Sequence, residues 1–92
     1  MFGIVINPVS GGGENARLIE RLRAVIAERG EASRVFATSG EGDGGGKTRQ
    51  ALDAGCSAIV GVGGDGTLSE IVGPMAGSGA ELFIVPLSLI HI

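Results

Sequence analysis

Tryptophan and tyrosine are missing from this chain, and three phenylalanines are its whole aromatic complement. A core of stacked rings is excluded, so packing has to come from aliphatic and small side chains. A single cysteine, Cys56, excludes a disulfide framework and a cysteine metal site, and its expected role is a small buried residue ahead of a strand. A basic excess is absent as well: seven Lys and Arg stand against ten Asp and Glu, a net charge of -3, which is the wrong sign for a nucleic-acid partner. Arg17, Arg21, Arg23 and Arg29 do cluster, but glutamates share their segment, which reads as a solvated helix face. No apolar run approaches the roughly 18 residues of a membrane span, and "MFGIVINP" has neither the charged start nor the length of a signal peptide. The expectation is a cytoplasmic, soluble protein. With 92 residues the chain holds one domain at most, too little for a self-sufficient enzyme unless it is part of something larger.

Glycine, by contrast, is abundant: 18 residues, gathered in clusters rather than spread, which points to loops with a task. Between the clusters the chain alternates two periodicities. "FGIVINP" is an apolar run closed by Asn-Pro and reads as a buried strand. From Glu14 to Arg29, residues Leu18, Ile19, Leu22, Val25 and Ile26 share one helical face, with Gly30 as the stop. "ASRVFATS" is a second strand and "KTRQALDAG" a short helix ended by Gly55. "SAIVGV" is a third strand, "TLSEIV" opens a third helix that Gly73 and Pro74 shorten or kink, and "ELFIVPL" is a fourth strand suited to a sheet interior. Strands alternating with helices imply parallel pairing, hence an α/β fold with a three-layer, Rossmann-like parallel sheet. Ligands of such sheets bind beyond the carboxyl ends of the strands, and there lie "NPVSGGGEN", "TSGEGDGGGKT" and "GGDGT".

Two of these loops imitate familiar motifs. "EGDGGGKT" approaches a Walker A loop, but the position that requires glycine is Glu41, an acid where backbone amides should wrap phosphate. "GVGGDG" satisfies G-x-G-x-x-G, yet it follows the third strand and Glu81 is a poor match for the ribose-binding acid. The third loop also has a purely structural reading, since Thr67 and Glu70 match a capping box. That reading leaves Gly63, Gly64, Asp65 and Gly66 unexplained. Glycines there would let a phosphate reach backbone amides at a helix start. Asp65 would repel that phosphate unless a Mg²⁺ lay between them, because a hard cation bridges carboxylate and phosphate oxygens.

Together, "NPVSGGG" after the first strand, Thr38 after the second and "GGDGTLSE" after the third resemble the catalytic domain of the diacylglycerol kinase and lipid kinase family, with sphingosine, ceramide and, more distantly, NAD kinases among its relatives. The resemblance implies ATP and Mg²⁺ as cofactors and transfer of the γ-phosphoryl group to a lipid hydroxyl such as that of diacylglycerol. It implies a cleft between this α/β part and a larger β-rich C-terminal domain that receives the lipid and carries the acceptor base. Residue by residue, it implies that Asn7, Pro8, Val9, Ser10 and Gly11 form the first nucleotide loop and that Thr38 contacts the nucleotide. Gly63, Gly64, Asp65, Gly66, Thr67, Leu68 and Ser69 would wrap the phosphates, with Asp65 acting towards metal and phosphate and not as the acceptor base. Contact with a membrane would be at most peripheral. An NAD kinase-like enzyme and a non-catalytic nucleotide-binding module stay open beside this reading.

The chain departs from the family in three places. Glycine is richer than usual where the second helix begins, Ser69 stands where Asn is frequent, and after "IVPL" the family's Gly-Thr-x-Asn-Asp loop is replaced by "SLIHI". "LSLIHI" is the translation of the transposase mosaic-end sequence used in sequencing adaptors. Residues 1–87 are therefore expected to be an incomplete nucleotide-binding domain and residues 88–92 a non-native tail, and His91 carries no functional expectation.

Overall fold

A computed structural model of the chain describes residues 1–7, 14–39 and 42–86. Seven elements follow in order: β1 (Phe2–Ile6), α1 (Glu14–Glu28), β2 (Ser33–Ala37), α2 (Gly44–Asp53), β3 (Ala58–Gly63), α3 (Asp65–Met75) and β4 (Glu81–Pro86). The four strands form one parallel sheet in the order β2-β1-β3-β4. The α/β expectation holds.

The strand order explains where the helices lie. The step from β1 to β2 runs one way along the sheet, and the steps from β2 to β3 and from β3 to β4 run the other way. A single handedness of crossover therefore puts α1 on one face and α2 and α3 on the opposite face. On the α1 side, Ile4, Ile6, Val60 and Val62 meet Ile26, with Leu18, Ile19 and Leu22 packed against them. On the other side, Val5, Phe36 and Ile59 meet Ala51 of α2 and Ile71 of α3. Cys56 is buried in this second cluster, ahead of β3 as its sequence context suggests, and burial pushes its thiol pKa up.

Gly30 and Gly55 end their helices with φ of 78° and 94°, a left-handed turn that a side chain would oppose. Two helix starts differ from expectation. Helix α2 begins at Gly44 rather than near Lys47, and α3 begins at Asp65, so each takes glycines into its first turn. Glycine costs about 1 kcal/mol per helical position, a deficit that packing between α2 and α3 can outweigh. Pro74 lies inside α3 one residue from its end, so the helix stops where Gly73 and Pro74 were expected to shorten it.

Apolar residues in two places, α1 and β4, sit outside the expected core. Val25 is 55% exposed. Successive helical residues turn about 100°, so with Ile26 at the centre of the buried stripe Val25 falls on its margin. Strand β4 pairs only with β3, and its Phe83 and Ile84 are 43% and 46% exposed, so among the described residues it is an edge strand. Phe83 keeps one aromatic neighbour, stacking on Phe2 across β3 with ring centroids 6.0 Å apart.

Candidate functional site

The connections leaving β1 and β3 head in opposite directions, so the crevice between the carboxyl ends of these two strands is the topological switch point where open α/β sheets bind ligands. Asn7 ends β1 there, and Gly63 and Gly64 end β3. Thr38, the expected contact after β2, lies beside β1: its amide donates to the Ile6 carbonyl at 2.9 Å, and the residue is buried. Pro8, Val9, Ser10 and Gly11 lie outside the described residues, as does the 88–92 tail.

The third loop separates into parts that serve packing and parts that face outward. A Cβ on Gly61 would come within 2.9 Å of Ile71 Cδ1, and one on Gly63 within 2.8 Å of Thr67 Cβ. These two glycines let α3 lie close against β3, so the bareness of Gly63 is already used by Thr67. Leu68, half-buried, likewise packs against the core under α3. Gly64 and Gly66 are different. Both are exposed, and among the described residues a Cβ on either would meet nothing within 4 Å.

Gly64 is the N-cap of α3, and the first helical bond runs from the Leu68 amide to the Gly64 carbonyl at 3.0 Å. The Thr67–Glu70 capping box is not formed, because Thr67 is already the third residue of the helix and no side chain caps it. Asp65 occupies the first helical position, exposed, and its side chain makes no hydrogen bond or ion pair among the described residues. Ser69 is exposed one turn further on. A carboxylate in a helix's first turn is electrostatically favourable, by about 0.3–1 kcal/mol, but no described residue ties the Asp65 carboxylate down.

Two further residues shape the site without having been expected to. Asn15, in the first turn of α1, is 2% exposed, and its Nδ2 donates to the Asn7 carbonyl at 2.7 Å. It clamps the end of β1 to the start of α1, across the stretch that carries "PVSGGG". The sequence held a signal for it, a polar residue on the same helical stripe as Leu18, Ile19 and Leu22. Asp43 accepts the Ser39 amide through both carboxylate oxygens, at 3.2 and 3.1 Å, and so closes the loop after β2. That bond chiefly, helped by Lys47, holds the Asp43 carboxyl below its ordinary value of 3.8. Its signal was an N-cap-type residue ahead of a helix, although Asp43 turns back to Ser39 and makes no cap bond.

A parallel α/β sheet with a topological switch point between β1 and β3 is the class of fold that these elements define. Within that class the chain belongs to the diacylglycerol kinase catalytic domain family, which it matches over residues 1–88. Solved structures of similar fold come from Bacillus anthracis str. Sterne. One, named "a putative diacylglycerol kinase", is 20% identical with a TM-score of 0.70, the match covering 92% of this chain and 30% of that one. Another, named a diacylglycerol kinase, is 22% identical with a TM-score of 0.68, covering 92% of this chain and 32% of that one. This chain thus spans about a third of the length of the structures it matches. No curated protein matches it.

Proposed function

We propose that this chain is the nucleotide-binding part of a longer lipid kinase that transfers the γ-phosphoryl group of ATP to a lipid hydroxyl such as that of diacylglycerol. The observation that carries the reading is the end of β3: among the described residues, Gly64 and Gly66 have no neighbour where a Cβ would stand, and the Asp65 carboxylate between them, at the start of α3, has no partner. Amides of that first turn and the positive end of α3 face the space a phosphate would take. Asn7 and Thr38, at the ends of β1 and β2, would flank it, and Ser10 is the further contact that the sequence motif implies.

Among the described residues no three acidic, histidine or cysteine side chains converge to hold a metal by themselves. A single carboxylate suits Mg²⁺, which keeps several waters and is held by one or two carboxylates together with substrate phosphates. Asp65 would hold it, and the ion when bound neutralises charge on the transferring phosphoryl group. Asp65 itself orients phosphate and ion and does not deprotonate the acceptor hydroxyl; that base, and the lipid pocket, belong to the part of the kinase beyond this chain. This chain alone is expected to be inactive on lipids. No helix among the described residues is long and apolar enough to cross a membrane.

The test is Asp65→Asn in the complete protein, assayed with ATP, Mg²⁺ and diacylglycerol beside a thermal melt. Turnover should fall by about 10²-fold, the order seen when one preorganised electrostatic contact to a transition state is lost, while the melt barely moves. Unchanged turnover would sink the assignment of Asp65. Phosphorylation of NAD in place of lipid, or nucleotide binding without turnover, would replace the lipid kinase reading.

A further inference from the structure

The sequence offers two motifs that the proposed site does not use: the Thr67–Glu70 pair, and the glycine-rich start of α2 that imitates a Walker A loop. In the fold they meet. Glu70 is half-buried, and its side chain points from α3 towards α2. A methyl group on Gly44 would come 2.9 Å from Glu70 Oε1 and 3.3 Å from Glu70 Cβ, and one on Gly42 would come 3.4 Å from Oε2. Gly45 faces the Glu70 carbonyl oxygen in the same way, at 3.2 Å. One residue thus fills the room left by three missing side chains.

We propose that Glu70 is a positioning residue that couples the loop after β2 to the GGDGT turn, by seating its carboxylate over Gly42 and Gly44. This coupling rests on the nucleotide-site reading for its functional consequence. Glu70 is five residues from Asp65 on one helix, so the first turns of α3 cannot shift without carrying that carboxylate. The carboxylate bears on Gly42 and Gly44, which flank Asp43, and Asp43 holds the Ser39 amide next to Thr38. The two loops therefore move as one body. The same seat explains why the start of α2 cannot take an external phosphate: the chain's own carboxylate occupies it, and an anion is favourable at a helix N-terminus.

A double-mutant cycle in the complete protein tests this, using Gly44→Ala, Glu70→Ala and the pair, with ATP KM, kcat and thermal melts read for each. Gly44→Ala alone puts a methyl into the carboxylate's seat and should raise ATP KM by about 5- to 10-fold, a coupling of the size found between contacting residues. In the Glu70→Ala background the same change should alter KM by less than about twofold, because the carboxylate is gone and only the looser contact with the residue-70 Cβ, at 3.3 Å, remains. Glu70→Gln keeps the shape and should stay within about threefold of the parent protein. Penalties that simply multiply in the double variant would overturn the proposal, as would melts that fall while KM stays constant throughout. If the parent protein does not turn over ATP, the kinase reading fails by itself. The melts then decide the contact, with non-additive shifts supporting it and additive shifts overturning it.

Discussion

The chain carries two glycine-rich helix starts, Gly42 to Gly46 before and within α2 and Gly63 to Gly66 before and within α3, and their inner glycines are covered by different partners. At α2 the space above Gly42, Gly44 and Gly45 is filled from within by Glu70, and Gly46 faces outward with no described neighbour within 4 Å. At α3 the inner glycine, Gly63, is filled by Thr67, while Gly64 and Gly66 open onto empty space beside a free carboxylate. Glycine content alone therefore does not mark a phosphate site. What marks it is whether the room that glycine leaves is claimed by the protein's own atoms.

The sharpest way to break that comparison is to add a methyl group to neighbouring glycines of one turn. Gly63→Ala should destabilise the complete protein by about 1–3 kcal/mol, the cost of overpacking, because Thr67 Cβ and Cγ2 stand 2.8 and 2.9 Å from the new atom. Chemical denaturation reads the loss, and an unchanged midpoint would mean that α3 does not rest on β3 as described. The clamp on the opposite strand gives an effect of similar or smaller size. Asn15→Ala removes the donor to the Asn7 carbonyl and should cost about 1–3 kcal/mol if no water replaces it. Asn15→Asp, which sets a carboxylate against that carbonyl, should be worse at neutral pH than at pH 3, where the acid can donate.

Gly64→Ala is the contrasting case. With φ at -80° and no neighbour within 4 Å, its stability should move by less than about 0.5 kcal/mol. Nucleotide affinity in the complete protein should nevertheless weaken, since the methyl enters the space proposed for phosphate. Equal affinity for both proteins would return Gly64 to a purely local role.

The smallest effect concerns Asp43. Its carboxyl is held below 3.8 in the folded state, so its contribution is present above about pH 4 and is lost as pH falls through the lowered value. Melts of the parent protein and Asp43→Asn should differ at pH 7 and converge near pH 2. A constant gap at both ends would show that the Ser39 bond does not depend on the carboxylate charge.

The local sequence was enough for the alternation of strands and helices, for the stops at Gly30 and Gly55, and for the placing of three loops at one end of a parallel sheet. Those features rest on short-range causes: periodicity of apolar residues, and glycine's access to positive φ. It was not enough for the starts of α2 and α3, because the pull that draws glycines into a helix comes from the neighbouring helix and not from the segment itself. Nor could it separate Gly63 from Gly64, adjacent and identical, since only the approach of Thr67 distinguishes them. Periodicity grouped Val25 with Ile26, and strand composition placed β4 in the sheet interior. The sheet's order and its single helix on the α1 face left Val25 at a margin and, among the described residues, β4 paired on one side only. Sequence by itself determined which residue types could meet a phosphate. Tertiary structure decided which of them have their space left empty, because that depends on contacts between segments far apart in the chain, such as Glu70 over Gly44 and Asn15 against Asn7.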